Sequence, residues 1–381
     1  MSATIAAADS RTTHVLDRVL AARATRTPLR IQGAGTWLRA GRPTDASDVL
    51  SVADDRGIVE YVPGDLTITV RAGTTLDEVA AATEAHAQWL PLDPWGGGSG
   101  TIGATLATAT SGPHSHAFGL PRDVALGVEV VTGSGQVVRA GGRVVKNVAG
   151  FDLTCLMIGA WGTLGVITEA TLRLRARPEM TRTVALGVAT ADALNDIVTR
   201  LRALPFAPIA CELLHARAAS TLGLDSGDVL VARLGGNARA VASQLDLMRT
   251  LGSMRDVPED VWMRLRQLVP DAAGEWRWSQ LPSAFASTWA SAERAARRFP
   301  GAVLHGSPMR GVVRVVIPRA DGAGMSRDAT GFRGTVAVDV LPAADWSGIP
   351  SASAQDELSR SIRATFDPEA ILNRGILGAP A

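Results

Sequence analysis

Five glycine-rich turns crowd the first half of the chain, at residues 33–36, 96–103, 111–112, 141–150 and 159–165. Glycine lets backbone lie against a flat ring with no Cβ in the way, and successive N–H groups in such turns form concavities that hold anions. Several of them converging on one ligand would hold something long, flat and doubly negative. Tight turns with no further role would account for any one of these, but poorly for five so close together. The first turn, Gly33-Ala34-Gly35, follows a strand-like stretch but lacks the third glycine of a dinucleotide fingerprint, Trp37 and Leu38 standing on the way to it. No GxxxxGK[ST] loop occurs either, so nucleoside triphosphate chemistry is disfavoured.

Few other side chains suggest chemistry. Lys146, in GGRVVKNVAGFDL, is the only lysine among 38 basic residues. A compact ammonium on a flexible stem acts as a point charge in a gap where a planar guanidinium would demand more room; the alternative is a solvated surface lysine. Glu212 and His215, in CELLH, are the best polar candidates of the second half to face a pocket. Their odd spacing puts them on opposite faces of a regular strand, so at most one does; an edge carboxylate and a satisfied histidine are the alternative. His114 and His116 sit in SGPHSHAFG without a carboxylate neighbour and read as solvated loop histidines, and no metal site is expected. Cys155 and Cys211 lie in apolar surroundings without a CxxC pattern and read as buried, reduced thiols. The nine tryptophans follow no period, which favours packing over a nucleic-acid stacking platform.

The elements that must position these residues can be read from periodicity. HVLDRVLAARA (14–24) has helical spacing, PLRIQ runs as a strand into GAGTW, and GIVEYV and LTITVRAG read as strands. TTLDEVAAATEAHA reads as a helix that Thr74 or Thr75 can cap, with Asp77 and Glu78 in its first turn. Residues 96–112 hold six glycines and almost nothing bulky or charged, which suits tightly packed backbone better than a free linker. LGVEVVTGSGQVVRAGG reads as a hairpin turning at Gly133–Gly135, and TLGVITEATLRLRARP as an alternating strand ending at Pro178. Beyond residue 180, strands and helices follow an α+β pattern with antiparallel strands, then a second, looser round of the same pattern, and a C-terminal helix over AQDELSRSIRATF. At 381 residues, and with about 100–200 residues per domain, two large domains are expected. They are placed at 1–179 and 180–353, with a return segment at 354–381. A composition 46% apolar with net charge +1 supports sizeable cores and gives no bias toward nucleic acid or anionic membrane. No apolar run approaches the roughly 20 residues of a membrane span, and a cytoplasmic protein is expected.

GAGTW, VPGDLTITVRAGTTLDEV, the long stretch from PLDPWGGGSG to KNVAGFDL, and GAWGTLGVITEATL resemble, in order and spacing, the PCMH-type FAD-binding domain of the vanillyl-alcohol oxidase superfamily. Within it, GGRVVKNVAGFDLTCLMIGAWGTLGVITE resembles the E-type, FAD-binding subunit of bacterial glycolate oxidase. The resemblance spans about residues 28–178 and implies two α+β subdomains clasping non-covalent FAD, then an antiparallel-sheet cap over the flavin. Carried across by position, it implies that Gly33, Ala34, Gly35 and Thr36 give N–H groups to the pyrophosphate. Pro91, Leu92, Asp93, Thr101, Ile102 and Gly103 would lie along the flavin and diphosphate, and Ser111 and Gly112 at the isoalloxazine. Gly165, Val166 and Ile167 would contact the adenosine half through backbone, and Lys146 would stand near the flavin N1 or the pyrophosphate. Ala34 replaces a usual glycine and Phe151 a usual tyrosine. The activity implied is oxidation of a small 2-hydroxy acid, glycolate to glyoxylate, in a complex with a larger FAD-linked subunit and an iron–sulfur subunit. A stand-alone dehydrogenase of another hydroxy acid or sugar alcohol, and a scaffold subunit without flavin, remain as alternatives. After residue 180 only His215 and His305 are available as histidines, which argues against an independent histidine-rich site.

Overall fold

A computed structural model describes residues 4–5, 10–142, 152–224, 227–268, 274–318, 331–349 and 356–378. Lys146 and Phe151 lie outside them. Two sheets organise the rest. The first has six described strands in the order Thr4–Ile5, Val137–Gly141, Ala125–Thr132, Gly165–Arg173, Thr67–Arg71 and Ile58–Val62, all antiparallel neighbours. Its core closes against the helix Ser10–Thr25 through Val15, Val19 and Ala22, and against the helix Ile102–Thr108 through Ile102 and Leu106. Leu29–Gln32 pairs in parallel with Asp48–Ser51 in a small separate sheet, and this pair delivers the chain to the first glycine turn.

Local signals explain the element boundaries near that turn. The helix Leu76–Glu84 starts at Thr75 with a full capping box: Thr75 Oγ1 accepts from Glu78 N, and Glu78 accepts from Thr75 N. The glycine-rich run 96–112 contains the helix Ile102–Thr108, not expected from its glycine content; Thr101 caps it and apolar Ile102 and Leu106 pin it to the core. The hairpin 125–141 turns where expected, with Gly135 at φ 77°.

The second sheet has eight strands in the order Met254–Val257, Met180–Val188, Asp228–Gly236, Ala210–Leu214, Val303–Ser307, Val312–Ile317, Gly274–Ser279 and Thr335–Val340. The two rounds of strand and helix expected from the sequence are therefore one continuous sheet, joined where Ala210–Leu214 meets Val303–Ser307. Strand alternation gives its faces opposite characters. One buries Leu213, Leu304, Val313, Val315, Trp276 and Trp278 against the helices Ala191–Arg202 and Phe285–Ala296. The other carries a band of polar residues across five strands: Glu212, His305, Ser307, Arg314, Arg277 and Asp339. That band faces the first half of the chain. The C-terminal helix Glu357–Phe366 leads back to the first core, where Ile371 and Leu372 are buried and Leu372 bridges Leu29. The two halves also meet at an antiparallel bridge between Ala40 and Val340, with Gly41 N donating to Asp339 O at 2.9 Å.

Cys211 is buried, but Cys155 is exposed, which corrects the expectation for the pair. The short helix Leu153–Met157 turns Thr154 and Met157 inward and leaves Cys155 exposed; partial desolvation of its thiol, then the hydrogen bond and charge of Asp152, push its pKa up to about 11.

Candidate functional site

Two neighbouring hollows stand out. The first is an open groove within the first half and the returning C-terminal segment, walled by Gly33, Gly35, Thr36, Gly103, Gly165 and Asn373, among others, and none of the described residues lining it is acidic. The second lies between the halves, bounded by the loop at Ser111, Gly112 and Ser115 and the polar band of the eight-stranded sheet. Trp37, Thr108 and Trp161 line both, so the hollows adjoin, and the Trp37 and Trp161 rings stack at their junction at 5.9 Å.

Glycines in the walls of the two hollows let the backbone pack tightly on the residues behind it. A Cβ on Gly33 would meet Thr101 Oγ1 at 2.1 Å, and one on Gly112 would meet Asp93 O at 1.9 Å. Asn373, on the returning C-terminal segment, ties the walls together: its Oδ1 accepts from Ile31 N at 2.8 Å and its Nδ2 donates to Trp161 O at 2.7 Å. Trp161 has φ 55°, uncommon for a bulky residue, and is held there by that bond and by Trp161 N donating to Ala107 O at 2.8 Å.

In the second hollow the sheet presents three arginines. Arg314 pairs with Glu275 and, at 3.0 Å, with Asp339; Arg277 pairs with Asp339 at 3.3 Å; and Arg314 lies 5.0 Å over the Trp95 ring. Arg310 differs. Its Nη1 donates to Ser111 Oγ at 3.1 Å and Ser115 Oγ at 2.9 Å, and no carboxylate among the described residues lies within ion-pair distance. Burial, followed by the charges of Arg314 and Arg277, pulls its pKa below the usual arginine value, yet a guanidinium stays charged. Glu212, buried, also lines this hollow, and its Oε2 takes His305 Nδ1 at 3.2 Å. His305 packs on Trp95 at 4.5 Å.

The sequence-derived residues distribute unevenly. Gly33, Gly35, Thr36, Gly103, Gly165 and Ile167 line the groove; Ser111, Gly112 and Glu212 line the second hollow. Ala34 is exposed beside the groove, Ile102 and Val166 point their side chains into the core, and Thr101 caps the helix behind Gly33. Pro91, Leu92 and Asp93 form a buried loop behind Gly112 and line neither hollow. His215 is not on the strand with Glu212; it caps the helix Ala216–Thr221 and stays out of the hollow. Arg277, Arg310, Arg314, Asp339, Trp95 and Asn373 were not foreseen.

His114 and His116 are not solvated, a correction to the sequence reading. His114 is buried between Trp89 and Phe118, and Asp93, distant in sequence, brings a carboxylate 3.3 Å from its Nδ1, although off the line of a hydrogen bond. His116 Nε2 lies 2.6 Å from Pro208 O across the two halves. Burial raises Asp93 to about 8, while burial, then the Arg233 and Arg266 charges, lower His114 to about 3. Both are therefore neutral near pH 7. Among the described residues no group of three or more potential metal ligands occurs.

These two shifts give opposite pH slopes. The fold keeps the Asp93 proton up to about pH 8, while an unfolded chain releases it near 3.8, so stability falls as pH rises across that window. His114 stays neutral in the fold down to about 3 while the unfolded chain takes up its proton near 6.5, so its contribution is lost as pH falls. Asp93→Asn keeps an oxygen for the His114 N–H but cannot ionise. Its melting temperature, followed from about pH 5 to about pH 8, is expected to decline less than that of the unsubstituted protein. Parallel profiles would mean that Asp93 is ionised in the fold.

Residues 5–141 match the model of a family described as an FAD binding domain. The chain is 39% identical over 193 residues to glycolate oxidase subunit GlcE of Escherichia coli, covering 50% of this chain and 55% of that one. It is 34% identical over 190 residues to glycolate oxidase subunit GlcD of Bacillus subtilis, covering 50% and 40%. The matches thus span about half the length of these relatives. Among solved structures, 4-ethylphenol oxidase from Gulosibacter chungangensis shares the fold over 96% of this chain and 87% of its own, with TM-score 0.74 at 14% identity. That likeness includes both sheets.

Proposed function

Residues 5–141 are an FAD-binding domain, and on that premise we propose that the chain is an FAD-dependent oxidoreductase acting on a small 2-hydroxy acid, with glycolate to glyoxylate as the parent reaction. The groove suits the cofactor: glycines bring bare backbone to its walls, and no described acidic residue lining it would repel a diphosphate. FAD would lie with its diphosphate along Gly33–Thr36 and Gly103 and its ring toward Ser111 and Gly112. Attachment would be non-covalent, since His114 and His116 line neither hollow. In this reading residues 1–179 hold the cofactor, 180–353 roof it, and 354–381 staple the groove.

The observation that carries the reading is Arg310, a largely buried cation without a carboxylate partner among the described residues, in the hollow that adjoins the groove. Its guanidinium would hold the substrate carboxylate, with Ser111 and Ser115 fixing its position. Glu212, with Oε2 engaged by His305, would accept the hydroxyl proton on Oε1. Bound FAD supplies the two-electron acceptor for the adjacent C–H bond. Likeness to two glycolate oxidase subunits supports a role within a complex, and the partners proposed to receive the electrons are a larger FAD-linked subunit and an iron–sulfur subunit.

The test starts with the colour of the purified chain. FAD released on denaturation, and anaerobic loss of the oxidised-flavin absorbance on adding glycolate, are the expected results. Reduction only after partner subunits are added would move the substrate site to a partner, and a colourless chain that fails to take up FAD would end the proposal.

A further inference from the structure

The second hollow contains more polar chemistry than a carboxylate and one hydroxyl need. Arg277, Arg314, Glu275 and Asp339 satisfy one another, Arg310 is steadied by Ser111 and Ser115, and Glu212 is bound to His305. Ser307 is left over. It lines the hollow, is only 7% exposed, and its Oγ has no hydrogen-bond partner. Trp95 lines the same hollow, and its buried Nε1 is likewise unpartnered. A buried hydroxyl that bonds nothing is costly unless a ligand completes it.

The hairpin places this hydroxyl beside the anion site. Ser307 O accepts from Arg310 N at 3.2 Å and Gly311 N at 2.9 Å, so Ser307 closes the turn that presents Arg310. Strand alternation sets its side chain on the same face as His305, opposite the strand end that carries Glu212. A ligand with its carboxylate on Arg310 and its reacting hydroxyl at Glu212 would still leave Ser307 without a partner.

We infer that Ser307 is a specificity residue that hydrogen-bonds a second, uncharged hydroxyl of the ligand, so that within the 2-hydroxy acids of the proposed function 2,3-dihydroxy monocarboxylates are preferred over glycolate and its alkyl homologues, which still react. The group is uncharged because no further unpaired ion stands beside Ser307 among the described residues. This inference rests on the reading of Arg310 and Glu212 given above. Sites built to hydrogen-bond a substrate hydroxyl discriminate strongly against analogues that lack it.

The experiment compares glycerate with lactate, which differ by the 3-hydroxyl. Both enantiomers of each are titrated into the FAD-loaded full-length protein, and binding is read from perturbation of the flavin spectrum. Glycerate is expected to bind about 10-fold more tightly than lactate, and Ser307→Ala to lose that preference while keeping its lactate affinity. The melting temperature of Ser307→Ala without ligand is expected to equal or exceed that of the parent, because the hydroxyl removed bonds nothing. Equal binding of the two acids by the parent, a preference that survives the substitution, or a clear fall in melting temperature would overturn this inference alone. Binding of neither acid would overturn it together with the reading on which it rests.

Discussion

Arg310→Ala is expected to lower kcat/KM for 2-hydroxy acids on the order of 100-fold, because removing one partner of a buried charged contact costs about 2–5 kcal/mol. Most of the loss should fall on KM, since the guanidinium holds the carboxylate in ground state and transition state alike. Arg310→Lys restores the charge but not the planar pair of nitrogens that a bidentate carboxylate contact needs, and it should recover only part of the loss. Steady-state rates with flavin content measured in parallel decide the matter: an unchanged KM in Arg310→Ala would remove the carboxylate from this site. Arg277 and Arg314 cannot take over, because each is already paired with a carboxylate of the same face.

Asn373→Ala should act on the cofactor instead. It removes the acceptor of Ile31 N and the donor to Trp161 O, leaving two backbone groups on facing groove walls without partners, at about 1–3 kcal/mol each. Trp161 would lose one of the bonds that keep it at positive φ, and the wall it forms should relax. The expected result is at least about a 10-fold weaker Kd for FAD, read by flavin fluorescence on reconstitution. Asn373→Asp separates geometry from volume. It keeps the Ile31 contact but sets an oxygen against Trp161 O, and should also weaken FAD. Retention of FAD at parental affinity by both variants would exclude Asn373 from organising the groove.

The glycine turns made the groove legible, because bare backbone at glycine is a local property of sequence. The roof was legible only in part. Arg314 in VVRVVIP, Arg277 in GEWRWS, His305 in AVLHG and Asp339 in VAVDV are each a polar residue with apolar or glycine neighbours on both sides in a strand. With period two, each had to face away from the helix-covered core, and a search for interrupted strands would have gathered them. Their convergence depended on the joining of two strand groups into one sheet, which no local signal announced. Asn373 was out of reach for a different reason: its partners Ile31 and Trp161 lie 342 and 212 residues away. The error over His114 and His116 has the same origin, since the carboxylate beside His114 comes from a loop 21 residues earlier. Lys146, the oddest residue of the sequence, lies outside the described residues.

The stretch from Gly33 to Gly41 borders the cofactor groove at one end, reaches the junction of the two hollows at Trp37, and at the other end donates from Gly41 N to the main chain of Asp339, whose side chain anchors Arg277 and Arg314. One short loop is thus a boundary of both compartments. Under the proposed function, a nucleotide in the groove and an anion in the second hollow would rest against the same stretch of backbone, and any coupling between their binding would be reciprocal.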